Sequence, residues 1–171
     1  EAKKAYQQAR DRLLNVNDWS ELGLPGTHFQ VLDSDAEEVD RPVQAFDYFR
    51  ISIPGPGNKE GDGYDWVYVE EMTEVNEEDI DSIAFRVRPT SNPDSPNNET
   101  AHFYSSVSTS TFTLTRENKQ LRAAIYDKNI KANDESTTIG DEVRNKLFAL
   151  GGVSGMSKMQ WEKLALNVIN S

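Results

Sequence analysis

From Thr27 to about Lys128 the apolar residues recur at every second position, and on either side of that stretch they recur at every third and fourth. A period of two places alternate side chains on opposite faces of a strand. Phe49, Ile51 and Ile53 share one face while Arg50 and Ser52 take the other. Ile83, Phe85 and Val87 oppose Ala84, Arg86 and Arg88 in the same way. Phe112 and Leu114 oppose Thr111, Thr113 and Thr115, and Leu121, Ala123 and Ile125 oppose Arg122 and Tyr126. One apolar and one polar face per strand means an antiparallel sheet with a wet side, because a parallel sheet buries both. The pattern predicts strands over 27–32, 43–53, 65–71, 83–89, 101–116 and 120–127. The segment 101–116 is long for one strand, and Ser105, Ser106, Ser108, Thr109 and Ser110 mark a bend or bulge near its middle.

The flanks read as helices. Ala2, Ala5, Tyr6, Ala9, Leu13 and Val16 form one apolar stripe, with Lys3, Lys4, Gln7, Gln8, Arg10 and Asp11 largely off it. The stripe is rich in alanine and the opposite face is not strongly basic, so it is expected to pack on the chain's own sheet rather than on a membrane surface. Gly23-Leu24-Pro25-Gly26 ends the helical stretch. Near the C-terminus Thr138 to Asp141 has the form of a helix start, followed by Val143, Leu147 and Leu150 and stopped by Gly151-Gly152. Ser157 and Gln160 open a second helix with Trp161, Leu164, Ala165 and Val168 as its stripe. The expected fold class is therefore α+β. A curved antiparallel sheet or partly closed barrel of six to seven strands carries an N-terminal helix and two C-terminal helices. All of residues 1–171 are expected to form one domain, since the loop from Pro89 to Thr100 is followed directly by renewed strand patterning.

Composition removes several classes of chemistry. With no cysteine, disulfides, thiolate metal sites and cysteine nucleophiles are excluded, and both cytoplasm and periplasm remain open as compartments. No apolar run is long enough to span a bilayer, so no membrane insertion is expected. The net charge is −11, and the basic residues are scattered singly or in pairs, as at Lys3-Lys4 and Arg86/Arg88. Such a surface repels phosphate backbones, so no nucleic-acid partner is expected.

Two acidic clusters stand out. Asp33, Asp35, Glu37, Glu38 and Asp40 lie in one connection, and Glu70, Glu71, Glu74, Glu77, Glu78, Asp79 and Asp81 lie around another. The first opens like a helix-loop-helix calcium loop, yet Glu38 stands where glycine is required and Gln44 replaces the final bidentate glutamate. That form of calcium site therefore fails; simple loop solvation is the expectation, with a looser calcium site as the alternative, and no metal or cofactor is assigned. If the strands run as an up-and-down meander, both acidic connections share one end of the sheet. The connections 54–64 and 90–100 then share the other.

No nucleophile elbow, phosphate-binding loop or zinc-binding histidine helix occurs. The most unusual stretch runs from Pro54 to Trp66, with four glycines ahead of Tyr64 and Trp66. Its glycines permit backbone conformations closed to other residues, and a plain hairpin connection would be shorter. Trp66 is expected in the core, while Asp62, Tyr64 and Asp65 offer acceptors and a flat ring for recognition. His102 and Tyr104 share a strand face, and with Arg86 and Arg88 they supply polar groups for a pocket in the curved sheet. The resulting expectation is a noncatalytic binding or protein-interaction domain, with ligand-binding candidates Asp62, Tyr64, Asp65, Arg86, Arg88, His102 and Tyr104. The alternatives are a small-molecule binder or enzyme using that pocket, and a structural subunit of a larger assembly or homo-oligomer.

Overall fold

A computed structural model of the chain describes residues 1–52, 64–94, 109–128 and 158–171. Helix α1 (Ala2–Leu14) leads into a 3-10 turn over Val16–Glu21. Six strands follow: β1 (His28–Leu32), β2 (Tyr48–Ser52), β3 (Asp65–Asn76), β4 (Ile80–Thr90), β5 (Thr109–Glu117) and β6 (Gln120–Lys128). Helix α2 (Lys158–Asn170) closes the described chain. The strands pair antiparallel in the order β1-β2-β3-β4-β5-β6, so the sheet is a meander. It is curved and unclosed, with β1 and β6 as its two edges. The expected helix at 138–150 lies outside the described residues, as does the first part of the strand expected over 101–116.

One face of this sheet holds the core. Phe29, Val31, Phe49, Ile51, Val67, Val69, Ile83, Phe85, Val87, Phe112 and Leu114 point inward against Tyr6, Ala9 and Leu13 of α1 and Trp161, Leu164 and Val168 of α2. At the centre is Trp19, from the 3-10 turn, which is fully buried. Its ring lies 5.4 Å from Phe29, 5.9 Å from Phe49, 6.3 Å from Phe85, 5.2 Å from Phe112 and 6.2 Å from Trp161. Burial of an indole requires a partner for its N–H. Trp19 Nε1 donates to the Leu13 carbonyl at 3.1 Å.

Helix α2 is held by its ends as well as its stripe. Arg12 donates to the Val168 carbonyl at 2.7 Å and to the Ile169 carbonyl at 3.1 Å. These belong to the last turn of α2, where helix carbonyls lack internal partners and favour a cation. Asn167 donates to the Leu22 carbonyl at 2.8 Å. Gly23, at φ +87°, passes so close that an added Cβ would sit 2.7 Å from Asn167 Nδ2, so glycine is required there.

Three strand expectations are corrected. Residues 43–47 are not strand: Asp47, buried, accepts two bonds from Arg41 at 2.7 and 2.9 Å and a third from the Gln44 N–H at 2.8 Å. That carboxylate folds the segment into a compact loop. Strand β3 runs on to Asn76 and β4 begins at Ile80, so Glu70, Glu71, Glu74 and Asp81 lie in strands and not in a connection. Several of these acids are already engaged. Arg10 of α1 holds Glu74 at 2.7 and 3.0 Å. Arg116, also buried, donates to Asp81 at 2.6 Å, to the Asn118 carbonyl at 2.8 Å and to the Glu78 carbonyl at 3.0 Å, tying the β3–β4 and β5–β6 turns together. The Tyr6 hydroxyl is buried near these groups without a hydrogen-bond partner among the described residues. Burial first, then the Glu74 and Asp81 carboxylates, push its pKa up to about 12.

Trp19→Ala is expected to destabilise the chain by about 3–5 kcal/mol, the usual cost of emptying an aromatic site in a core. Urea denaturation checks this, and a midpoint within error of the parent would show that the 3-10 turn does not organise the core.

Candidate functional site: the open face of the sheet

The face opposite the core carries a different set of side chains. Register places Tyr48 opposite Tyr68, and Tyr68 opposite Arg88. Arg50 stands opposite Trp66, and Trp66 opposite Thr90. Glu71, Arg86, Thr111 and Tyr126 form a row across four strands. Arg122, Thr115 and Ser82 form another nearer the turns, with Ser82 and Thr115 hydroxyls 3.3 Å apart.

A bulge in β3 organises this surface. Val69 pairs with Val87, but the next pair is Glu71 with Arg86, leaving Glu70 as the extra residue. An inserted residue resets the alternation of faces. Val67 and Val69 are buried before it, whereas Met72 and Glu74 are on the core side after it. Glu70 and Glu71 consequently emerge side by side on the open face. Arg86 bonds Glu70 at 2.5 Å and Glu71 at 2.7 Å, and Arg88 bonds Glu70 at 2.8 Å. The hydrogen bond from Arg88, then that from Arg86, holds the Glu70 carboxyl below its ordinary 4.5 despite partial desolvation.

The aromatic residues are interleaved with these charges. The Tyr48 and Tyr68 rings are 5.1 Å apart, and Tyr64 meets Trp66 edge-on at 6.1 Å. The Arg50 guanidinium lies 4.8 Å from the Tyr64 ring centre and 5.9 Å from that of Trp66, a cation–π arrangement, and also pairs with Glu38. Trp66 is only 3% exposed, yet it belongs to this face and not to the core cluster. Its burial agrees with the expectation that Trp66 is tucked in, although register turns it to the face opposite Val67, which takes the inward place against Phe49.

Of the sequence candidates, Tyr64, Arg86 and Arg88 are brought to this one face. Asp65 opens β3 opposite Ile51, on the core-side alternation. Asp62, His102 and Tyr104 lie outside the described residues. Tyr48, Arg50, Tyr68, Glu70 and Tyr126 were missed as candidates. Their signal in the sequence is the polar alternation itself, in which tyrosine and arginine occupy positions where a merely solvated face favours lysine and threonine.

Next to the bulge in β3 the backbone of Phe46 is also held. The residue is 59% exposed, yet its backbone has φ +74°, a conformation that costs a side-chain-bearing residue about 1–2 kcal/mol. The conformation is enforced from both sides: Phe46 N–H donates to the Val69 carbonyl at 2.7 Å, and Val69 N–H donates to the Asp47 carbonyl at 2.8 Å. Phe46 is thereby fixed beside the Glu70 bulge.

The first acidic connection is a self-contained turn. Asp33 Oδ1 accepts the Asp35 and Glu37 N–H groups at 2.9 and 3.0 Å, and Val39 N–H bonds the Val31 carbonyl along the edge of β1. Among the described residues no three acidic or histidine side chains converge to hold a metal ion, and no helix is long and apolar enough to cross a membrane. Comparison of the chain with protein-family models, with curated proteins and with solved structures finds no match in any of the three.

Because the folded-state pKa of Glu70 is lowered, its contribution to stability is fully present above the unfolded value and lost as pH falls through the folded one. Glu70→Gln is expected to lower stability at neutral pH and to flatten the loss of stability below about pH 4.5. Urea midpoints across that range test this; parallel curves for parent and variant would contradict it.

Proposed function

We propose that the chain is a noncatalytic binding domain that engages a protein partner through the open face of its sheet. One observation carries the reading. Of the six large apolar side chains that are exposed among the described residues, three, Val75, Ile80 and Tyr126, stand on this face by register. They surround half-buried tyrosines and arginines, the residue types enriched where proteins meet, in contrast to the lysine and glutamate of ordinary surface. Burying these apolar groups stabilises a complex, and the arginine–glutamate lattice between them supplies directional hydrogen bonds. The core face, filled by Trp19 and its aromatic neighbours, presents the fold and not the ligand.

The test uses affinity capture from the native cell extract, read by quantitative mass spectrometry. A double variant, Arg122→Glu with Tyr126→Ser, alters the open face at exposed positions. Leu166→Ser, on the exposed side of α2, serves as the control. A stoichiometric partner retained by the parent and the control but lost from the double variant is the expected outcome. A partner lost from the control and kept by the double variant would move the binding surface to the helical side.

A further inference from the structure

We infer that the outer edge of β6 is a self-pairing site, at which two copies of this chain join antiparallel about a two-fold axis through Ala124. The inference goes beyond the partner-binding reading and does not rest on it.

The two edges of the sheet are finished differently. At β1 the outward backbone is already used. Val31 N–H donates to Asn17 Oδ1 at 2.7 Å, the Val31 carbonyl accepts the Val39 N–H at 3.0 Å, and Leu32 bridges to Glu38. A cap of this kind stops a further strand from adding. Strand β6 carries none. Its hairpin with β5 turns in two residues, Asn118 and Lys119, with Asn118 at φ +54°. The closing pair, Glu117 and Gln120, exchanges both hydrogen bonds. Gln120, Arg122, Ala124, Tyr126 and Lys128 therefore bond toward β5, and Leu121, Ala123 and Ile125 turn their N–H and C=O groups outward. Among the described residues nothing pairs with those outward groups. The strand is nine residues long, contains no proline and keeps an unbroken register with β5, so it lacks the devices that blunt an edge.

The occupant is identified by the strand's complementarity to itself. Ala124 is the midpoint of Gln120–Lys128, so an axis there is the register that pairs all nine residues. Ala123 and Ile125 of the two copies become hydrogen-bonded partners. Arg122 faces Tyr126, Gln120 faces Lys128 and Ala124 faces itself in the non-bonded pairs, where side chains come closest. Each match is favourable. A small side chain stands on the axis, where a larger one would meet its own copy. Arg122 and Tyr126 are both exposed and share the open face, so each guanidinium lies over the second copy's ring. Arg122 has no ion pair among the described residues to give up. Lys128 of one copy comes into line with Gln120 and Glu117 of the other, about 10 Å from Glu117 at two strand spacings, a span that the two long side chains cover together. On the core side Leu121, Ala123 and Ile125 are only partly buried, whereas Phe112 and Leu114 of β5 are covered. Ile125 set against the small Ala123 of the second copy carries the apolar layer across the joint. An axis one residue away, at Ala123, sets Arg122 opposite Ala124 and runs Lys128 past the end of the strand. A two-fold axis supplies every one of these matches twice.

The test is sedimentation velocity of the full chain from about 5 to about 500 µM, since mass action makes a dimer depend on concentration. The parent should rise from the 19.3 kDa of one chain toward twice that mass. Ala124→Glu sets two carboxylates against each other on the axis, and Ala124→Lys does the same with two ammonium groups. Each variant alone should stay monomeric throughout, with the circular dichroism spectrum of the parent. Mixed in equal amounts they should dimerise, because opposite charges then meet on the axis, a recovery that general damage to the strand does not produce. Amide exchange of the parent, followed by NMR, reads the same edge without any variant. The Leu121, Ala123 and Ile125 amides should exchange freely in dilute protein and slow as concentration rises. A parent that remains monomeric at the highest concentration would overturn the inference. So would a dimer undisturbed by Ala124→Glu, or mixed variants that stay apart. Outward amides already protected in the monomer would overturn it too, by showing that the chain covers its own edge.

Discussion

The packing of five aromatic rings around Trp19 is the contact on which the other features depend. A six-stranded meander has only one apolar face, and that face needs a lid. The lid comes from two helices of 13 residues each, too short to be more than marginally stable alone. Trp19 joins them: it touches strands β1, β2, β4 and β5 through Phe29, Phe49, Phe85 and Phe112, and touches α2 through Trp161. The helices are fixed on one side by this hub, by Arg12 and by Asn167, and the opposite face carries the tyrosine and arginine rows.

What stands on that other face is decided largely by one inserted residue. Without the bulge at Glu70, the outward alternation would carry on from Tyr68 through Glu70 to Met72, and Glu71 would face the core. With it, two carboxylates lie together opposite Arg86 and Arg88, and Glu74 turns inward to meet Arg10 of α1. A single local change in strand geometry therefore supplies both a solvent-accessible ion pair to α1 and the charged lattice on the other side. Bulges bend a strand and re-aim side chains, and here both consequences bear on the candidate binding surface.

Much of the fold was legible in the alternation alone, because burial on one face forces a period of two. The inward residues of β2, β4 and β5 and the stripe Trp161, Leu164 and Val168 follow from it directly. The parts that escaped have specific causes. Trp19 sits in a 3-10 turn too short to show a period. The bulge breaks the alternation of β3 where it matters most, so the strand was ended early and its acids were read as a loop. Val43 and Phe46 imitate strand residues, whereas the Asp47 carboxylate, bonded to Arg41 and the Gln44 N–H, folds them into a loop. Of the candidate site, Tyr64, Arg86 and Arg88 were found as residue types. Their assembly with Tyr48, Arg50 and Tyr68 depends on register, which no local pattern contains.

One face of the sheet makes the fold, and the side chains exposed elsewhere on the sheet contribute little to it. The most direct measurement is the free energy of unfolding of a variant carrying Phe46→Gly, Arg122→Ser and Tyr126→Ser together, by urea denaturation. The claim predicts a stability within about 1 kcal/mol of the parent, as for exposed substitutions in general, with relief at Phe46 offsetting small losses elsewhere. A loss of more than about 3 kcal/mol, the scale of a core defect, would show that these side chains hold the sheet together, and the claim would fail.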